Sequence, residues 1–169
     1  KHQLKLAIEN HKDWRADELV EIVKQFDSEW IGVTLDTGNN ISFLEDPMVV
    51  IETLAPYAFS THIKDMAYNK YEDGILLSEV PLGEGIIDLK RTISLCKQHN
   101  KEITFNLEMI TRDPLKVPCL TENYWATFDY PYSGKELART LKKIEGKQYS
   151  LPTTSDKDIR STLIYEEEN

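Results

Sequence analysis

Ile31-Gly32-Val33-Thr34-Leu35-Asp36 has the alternation of a β-strand with two unlike faces. A strand points successive side chains to opposite sides, so Ile31, Val33 and Leu35 face one way and Gly32, Thr34 and Asp36 the other. The first set is bulky and apolar. The second is small or polar and ends in a carboxylate. Three further segments repeat the design: Leu4-Lys5-Leu6-Ala7-Ile8 runs into Glu9, Phe59-Ser60-Thr61 into His62, and Ile103-Thr104-Phe105-Asn106-Leu107 into Glu108. In each, the final residue shares its parity with small or polar neighbours: Ala7 with Glu9, Ser60 with His62, and Thr104 and Asn106 with Glu108. Laid parallel in one sheet, the segments would gather Glu9, Asp36, His62 and Glu108 at its C-terminal edge, where α/β folds keep their active sites.

Helical patterns lie between these segments. Ala16 to Phe26 carries Leu19, Ile22, Val23 and Phe26 at helical spacing, with Asp17 and Glu18 near the positive end of the helix dipole. Asp46-Pro47 reads as an N-cap followed by proline at the first helical position, opening a helix through Met48, Val49 and Ile51 toward Pro56. A third helix after Asp88 places Leu89, Ile93 and Cys96 on one side. Ser133 to Glu136 has capping-box spacing ahead of an apolar stripe of Leu137, Leu141 and Ile144. The predicted order is β-α-β-α-β-α-β-α, which folds as parallel strands joined by crossover helices.

A doubly wound sheet buries both faces, and its strands read as nearly continuous apolar runs. These strands keep one small, polar face, as the interior of a barrel around a wet site does. The expected fold is α/β: about four parallel βα units of a TIM barrel over residues 1–146, with a polar C-terminal tail or docking arm over residues 147–169. A full barrel takes about 250 residues, so the other half is expected to be missing from this chain or supplied by another. Half a barrel leaves two sheet edges open, which predicts a homo-oligomer or association with the missing half.

With 169 residues, 40% hydrophobic and 29% charged, the composition suits one globular domain. A formal net charge of -9 argues against a nucleic-acid partner, because affinity for phosphate backbones comes from clustered Lys and Arg. A small molecule is the expected partner. Cys96 and Cys119 match neither a disulfide scaffold nor a structural zinc site and read as free thiols. No stretch approaches the roughly 18 consecutive apolar residues of a membrane span, and no signal peptide opens the chain. It begins at Lys1 rather than methionine, so the natural N-terminus is expected upstream, and a cytoplasmic location is only the default.

Two glutamates, an aspartate and a histidine make an oxygen-rich donor set that suits Mn²⁺ first, then Mg²⁺ or Co²⁺, and Zn²⁺ less exclusively. Such a cation would bind adjacent hydroxyl and carbonyl oxygens of a sugar or related polyol and stabilise a developing enediolate. Glu9 and Glu108, approaching from opposite sides, would take and return a carbon-bound proton. Taken singly, a strand-terminal carboxylate is more often solvated or a helix cap, and a lone strand histidine more often a hydrogen-bonded core residue. Four in phase reverse that balance, and His62 gains weight from the Lys64 and Asp65 that follow it. His11, two residues past Glu9, reads equally as a substrate-orienting group or a solvated one. The long loop from Met109 to Tyr132, with Arg112 and Lys116, either covers the site and offers cations to an anionic substrate or serves as a packing arm.

Ile8-Glu9-Asn10-His11, Leu35-Asp36-Thr37-Gly38-Asn39, His62-Ile63-Lys64-Asp65, Gly83-Glu84-Gly85-Ile86-Ile87-Asp88 and Leu107-Glu108-Met109 together resemble the C-terminal half of the xylose-isomerase-like TIM-barrel superfamily of sugar phosphate isomerases and epimerases. The resemblance covers about residues 4 to 145. It implies that Glu9, Asp36, His62 and Glu108 are metal ligands, with Glu9 and Glu108 the acid/base pair. His11, Asn39, Lys64 and Arg112 are the expected substrate-binding residues. Many relatives carry a histidine three residues after the aspartate, where this chain has Asn39, which donates and accepts hydrogen bonds but cannot act as an imidazole base. With four histidines in all, the chain is poorly equipped for the multinuclear zinc site of the related apurinic-site endonucleases. The leading expectation is a divalent-metal-dependent isomerase or epimerase. A lyase or dehydratase on the same scaffold and a non-catalytic binding or structural protein are the alternatives, because fold does not fix function.

Overall fold

The four segments that end in ligand-type side chains are strands, and they pair in parallel. The computed structural model describes residues 2–128 and 134–154, together with Ser161 and Ile164. Its strands are β1 (Leu6–Glu9), β2 (Ile31–Asp36), β3 (Ala58–Ile63), β4 (Asp65–Tyr71), β5 (Gly74–Val80), β6 (Thr104–Leu107) and β7 (Leu115–Val117). Its α-helices are α1 (Ala16–Gln25), α2 (Pro47–Leu54), α3 (Leu89–His99), α4 (Glu122–Trp125) and α5 (Gly134–Ile144). They fall into two units, one of residues 1–64 and 87–108, the other of residues 65–86 and 109–169.

The first unit is a parallel sheet in the order β1-β2-β3-β6, with α1, α2 and α3 in the connections. Its register pairs Glu9 with Thr34, Asp36 with His62, and His62 with Asn106, so the strand ends that carry these side chains lie side by side. Among the described residues the sheet does not close on itself: β1 and β6 each pair along one side only. The bulky parity is buried in the central strands, at Val33, Leu35 and Ile63, together with Leu19, Val23, Val50, Ile51 and Leu54 from the helices. Each such side chain contributes roughly 1.5–3 kcal/mol of burial. On the edge strands the same parity is open, with Leu6 60% and Leu107 66% exposed. Gly32 is small for a packing reason: a Cβ there would lie 2.6 Å from the Tyr57 carbonyl oxygen and 2.8 Å from the Phe59 ring.

The helices α2 and α3 start as the sequence predicts. Asp46 accepts a hydrogen bond from the Met48 N–H at 3.0 Å ahead of Pro47, and Asp88 accepts one from the Arg91 N–H at 3.0 Å. The apolar side of α3 is a correction. Thr92 and Cys96 are buried, whereas Ile93 is 42% exposed. Thr92 tolerates burial because its hydroxyl donates to the Asp88 carbonyl at 2.8 Å.

The second unit contains an antiparallel sheet, β4-β5-β7, that the predicted βα order does not include. A hairpin runs from Asp65 paired with Val80 to Tyr71 paired with Gly74. Its turn is Glu72-Asp73, and the Asp73-Gly74 dipeptide that leads into β5 is its sequence signal. Glycine is required at position 74 because a Cβ would sit against the Val117 carbonyl of β7. The stretch after Glu108 is more structured than a loop, since β7 pairs with β5. Beyond it Tyr124, Trp125 and Phe128 pack edge to face, and the Trp125 indole N–H donates to the Cys119 carbonyl at 2.9 Å. Residues 129–132 of that stretch, and Ser133 of the expected capping box, lie outside the described residues. In α5, Leu137 and Leu141 are half-buried and Ile144 is buried, as the predicted stripe requires. From the predicted tail, Tyr149 exchanges two 2.8 Å hydrogen bonds with the Asn69 side chain, and most positions past 154 lie outside the described residues. No helix among the described residues is long and apolar enough to cross a membrane.

Candidate metal centre

Glu9 and Asp36 close β1 and β2, His62 is the penultimate residue of β3, and Glu108 follows β6 directly. The ladder continues for one more bond, from the Glu108 N–H to the Ile63 carbonyl at 2.9 Å, and this fixes where the Glu108 side chain starts. One ligand-type atom from each of the four residues lies within 4.8 Å of all the others. Two ligands on opposite sides of an ion, with bonds of about 2.1 Å, stand about 4.2 Å apart, so this set needs only slight contraction to close on a cation.

The contacts show how the cluster is held. His62 Nδ1 lies 3.1 Å from Glu9 Oε1 and 3.1 Å from Glu108 Oε2. Asp36 Oδ1 accepts from the Gly38 and Asn39 N–H groups, both at 2.8 Å, and this turn aims Oδ2 inward. Lys64 Nζ stands 2.9 Å from Asp36 Oδ2 and 3.2 Å from Glu108 Oε2. These are ion-pair distances, but neither oxygen receives an aligned hydrogen bond, although both are buried. Buried acceptors are nearly always satisfied. Three carboxylates and an imidazole gathered at one point, two of the carboxylate oxygens without an aligned hydrogen bond, are the donors a hard divalent cation takes, so the donor set fits a metal ion.

The charges bear on one another. Burial pushes the Asp36 carboxyl above its ordinary value, and the Lys64 ammonium opposes this without cancelling it. Glu108 is also pushed up by burial, but its contacts with Lys64 and His62 more than offset that, and its net direction is down.

Beside the cluster lies a buried amide network, of which the sequence reading singled out Asn39 but not Asn10 or Asn40. The Asn10 side chain accepts from the Asp36 N–H at 2.8 Å and donates to the Asp36 carbonyl at 2.9 Å, so it acts as one extra rung between β1 and β2. It also donates to Asn40 Oδ1 at 2.8 Å, and Asn40 donates to Glu45 at 2.6 Å. Asn39 is likewise turned into the protein, with Nδ2 donating to Glu9 Oε1 at 3.3 Å and to the Asn10 carbonyl at 3.2 Å. Thr37 clamps the main chain of Lys64, accepting from its N–H at 3.0 Å and donating to its carbonyl at 2.7 Å. Asn10 directly after Glu9, and the pair Asn39-Asn40 three residues after Asp36, were the available signal.

Of the residues expected to face substrate, Asn39 and Lys64 join the ligand cluster, and His11 is exposed, with its backbone N–H donating to Asp13 at 3.3 Å. Arg112 belongs to the second unit, where its guanidinium pairs with the buried Glu79 carboxylate at 2.6 Å.

The sequence profile described as xylose isomerase-like TIM barrel matches residues 1–144. The chain belongs to that family. Among curated relatives, the 3-oxo-isoapionate decarboxylase of Pectobacterium atrosepticum is 26% identical over 135 residues, which cover 78% of this chain and 49% of that protein. The uncharacterised protein YihM of Escherichia coli is 31% identical over 91 residues, covering 54% of this chain and 28% of that one. This chain therefore spans about half, or less, of the curated relatives it matches. A xylose isomerase-like TIM barrel protein from Mycobacterium smegmatis, solved in complex with magnesium, shares the fold with a TM-score of 0.56 at 21% identity, over 72% of this chain and 42% of that one. The family assignment agrees with the expected fold: parallel βα units of a barrel, here without closure among the described residues.

Proposed function

We propose that Glu9, Asp36, His62 and Glu108 hold one divalent cation, and that the chain carries the metal-binding part of an isomerase or epimerase acting on a sugar or related polyol. One observation supports this most: four ligand-type atoms from the ends of four neighbouring parallel strands lie within 4.8 Å of one another. The cation, when bound, would act as a Lewis acid on adjacent substrate oxygens and stabilise the enediolate charge that follows loss of a carbon-bound proton. Among hard cations we favour Mn²⁺, with Mg²⁺, Co²⁺ and Zn²⁺ as alternatives.

The protein groups divide by accessibility. The Asp36 side chain is fully buried and can serve only as a ligand, whereas those of Glu9 and Glu108 are 28% and 38% exposed. Glu9 ends one outer strand of the sheet and Glu108 directly follows the other, so one can take a proton from one side of a substrate and the other return it from the opposite side. His11, exposed two residues beyond Glu9, is placed to meet a substrate hydroxyl.

A second reading has a specific motive, the 26% identity to a 3-oxo acid decarboxylase. Breaking the C–C bond of a 3-oxo acid releases CO₂ and sends the electron pair toward the 3-oxo group, after which a glutamic acid protonates the carbon. The same cluster serves this chemistry and β-elimination alike. Incubating the Mn²⁺-loaded chain with sugars and 3-oxo acids in D₂O separates the outcomes. Deuterium entering the carbon next to the carbonyl without loss of material supports isomerisation; CO₂ release supports decarboxylation. Bound metal with neither result would leave a binding protein and overturn the catalytic reading.

A further inference from the structure

We infer that Lys64 is an ammonium ion built into the chain at the place a second divalent cation would take, so that this centre accepts one cation and not two. The inference rests on the cation-binding reading above, and its test distinguishes the two.

Three observations carry it. The first is geometric: Nζ stands between a carboxylate oxygen of β2 and one following β6, 2.9 Å from Asp36 Oδ2 and 3.2 Å from Glu108 Oε2. A metal ion bridging two carboxylates of a two-cation site would occupy that same position between the oxygens. The second is rigidity. The Lys64 side chain is 6% exposed, and its peptide unit is held at both N–H and C=O by the Thr37 hydroxyl. Lysine is almost never buried unless paired, and here both its ends are fixed, so the ammonium is a standing part of the site rather than a passing contact.

The third observation is charge. Glu9, Asp36 and Glu108 bring three negative charges, His62 as a neutral ligand brings none, and Lys64 returns one positive charge. A single divalent cation then makes the centre neutral. A second would leave it doubly positive around the fully buried Asp36, an uncompensated charge that a low-dielectric site does not tolerate. Asp36 Oδ2 and Glu108 Oε2 receive no aligned hydrogen bond, so each keeps a lone pair for the one cation while its other side faces the ammonium.

The test counts ions. Titrating the chain with Mn²⁺ by calorimetry and equilibrium dialysis should give one ion bound. Lys64→Glu, which replaces the ammonium with a ligand, should bind two, and the paired ions should show the coupled electron paramagnetic resonance spectrum that the parent lacks. Lys64→Gln should also take a second ion, at least about tenfold more weakly than the first, and Lys64→Arg should stay at one. Should Lys64→Glu fail to fold by circular dichroism, the Gln variant carries the count, since it adds no charge. Two ions in the parent chain, or one in both the Glu and Gln variants at saturating Mn²⁺, would overturn the inference while leaving the metal site intact. Binding that begins only when Lys64 is replaced would also overturn it, by placing the ammonium at the first cation's position. No binding in any form would remove the metal reading and this inference together.

Discussion

Asp65 in the second unit and Asp36 in the first are both strand-associated aspartates with no exposed surface, yet they are held differently. Both oxygens of Asp65 are satisfied: Oδ1 accepts from the Met66 N–H at 2.9 Å, and Oδ2 accepts from the Gly83 and Gly85 N–H groups, each at 2.9 Å. Glu79, in the same unit, accepts from the Ile110 N–H and from Arg112, both at 2.6 Å. In the first unit Asp36 has one satisfied oxygen and one that faces Lys64 without an aligned bond, and Glu108 has the same deficit. A carboxylate saturated by backbone donors organises a loop, here Pro81 to Ile86, and has nothing left for a ligand. One left short in a low-dielectric site keeps its free energy for whatever binds. The difference between the units lies in satisfaction rather than burial.

The largest effect that would break this comparison is in the first unit. Glu108→Gln should reduce turnover by at least about a thousandfold and weaken Mn²⁺ binding by at least about a hundredfold, read by steady-state assay and calorimetry, because the position loses a base and a charged ligand together. Unchanged activity would remove Glu108 from the mechanism. In the second unit Asp65→Ala should cost about 3 kcal/mol in a denaturant titration by leaving buried N–H groups without an acceptor, while Mn²⁺ affinity stays within about twofold. A loss of metal binding there as large as in Glu108→Gln would erase the distinction between the units.

Asn10→Ala sharpens the comparison on a smaller scale. The amide touches no expected ligand side chain but ties Asp36 to β1, and outer groups of this kind are worth about 10–100-fold in metal affinity. Calorimetry should find a loss in that range, and the visible spectrum of the Co²⁺-loaded chain should shift.

The pH dependence follows from Asp36. Its carboxyl is raised above the ordinary 3.8 by burial, and a protonated carboxyl cannot ligate a cation, so Mn²⁺ affinity should fall as pH drops through that raised value. For the metal-free chain the sign is reversed. The stability this group contributes is complete below 3.8 and is lost as pH rises through its folded-state value, so bound metal should stabilise most on the neutral side. Thermal melts with Mn²⁺ and with chelator across that range check both signs.

The smallest effect uses one thiol per unit. Burial pushes Cys96 in the first unit up to about 11 and raises Cys119 in the second, so neither should react with a thiol reagent at neutral pH until its own unit opens. The two labelling rates then report the two units separately, and metal should slow Cys96 alone.

The parallel strands and the side chains clustered at their ends were legible because alternation along a strand is local: Thr34 and Asp36, or Asn106 and Glu108, announce a polar face within three residues. The β4–β5 hairpin was not, because Met66 to Asn69 and Leu77 to Val80 are buried on both faces and show no alternation, which leaves Asp73-Gly74 as the one cue. The supporting amides were harder still to see. Asn10 acts 26 residues away on Asp36, and Arg112 finds Glu79 across 33, separations at which sequence spacing carries no geometric information. His62 and Asp65 sit three positions apart in one motif and look equally functional on paper; only the donors around Asp65 mark it as structural.

The rung that Asn10 adds beyond the end of β1 has a structural corollary. It seals the strand with a side chain, so the spacing of Glu9 from Asp36 is set before the chain enters Lys12 to Trp14. A change of length or sequence in that bend would therefore leave the two carboxylates where they are.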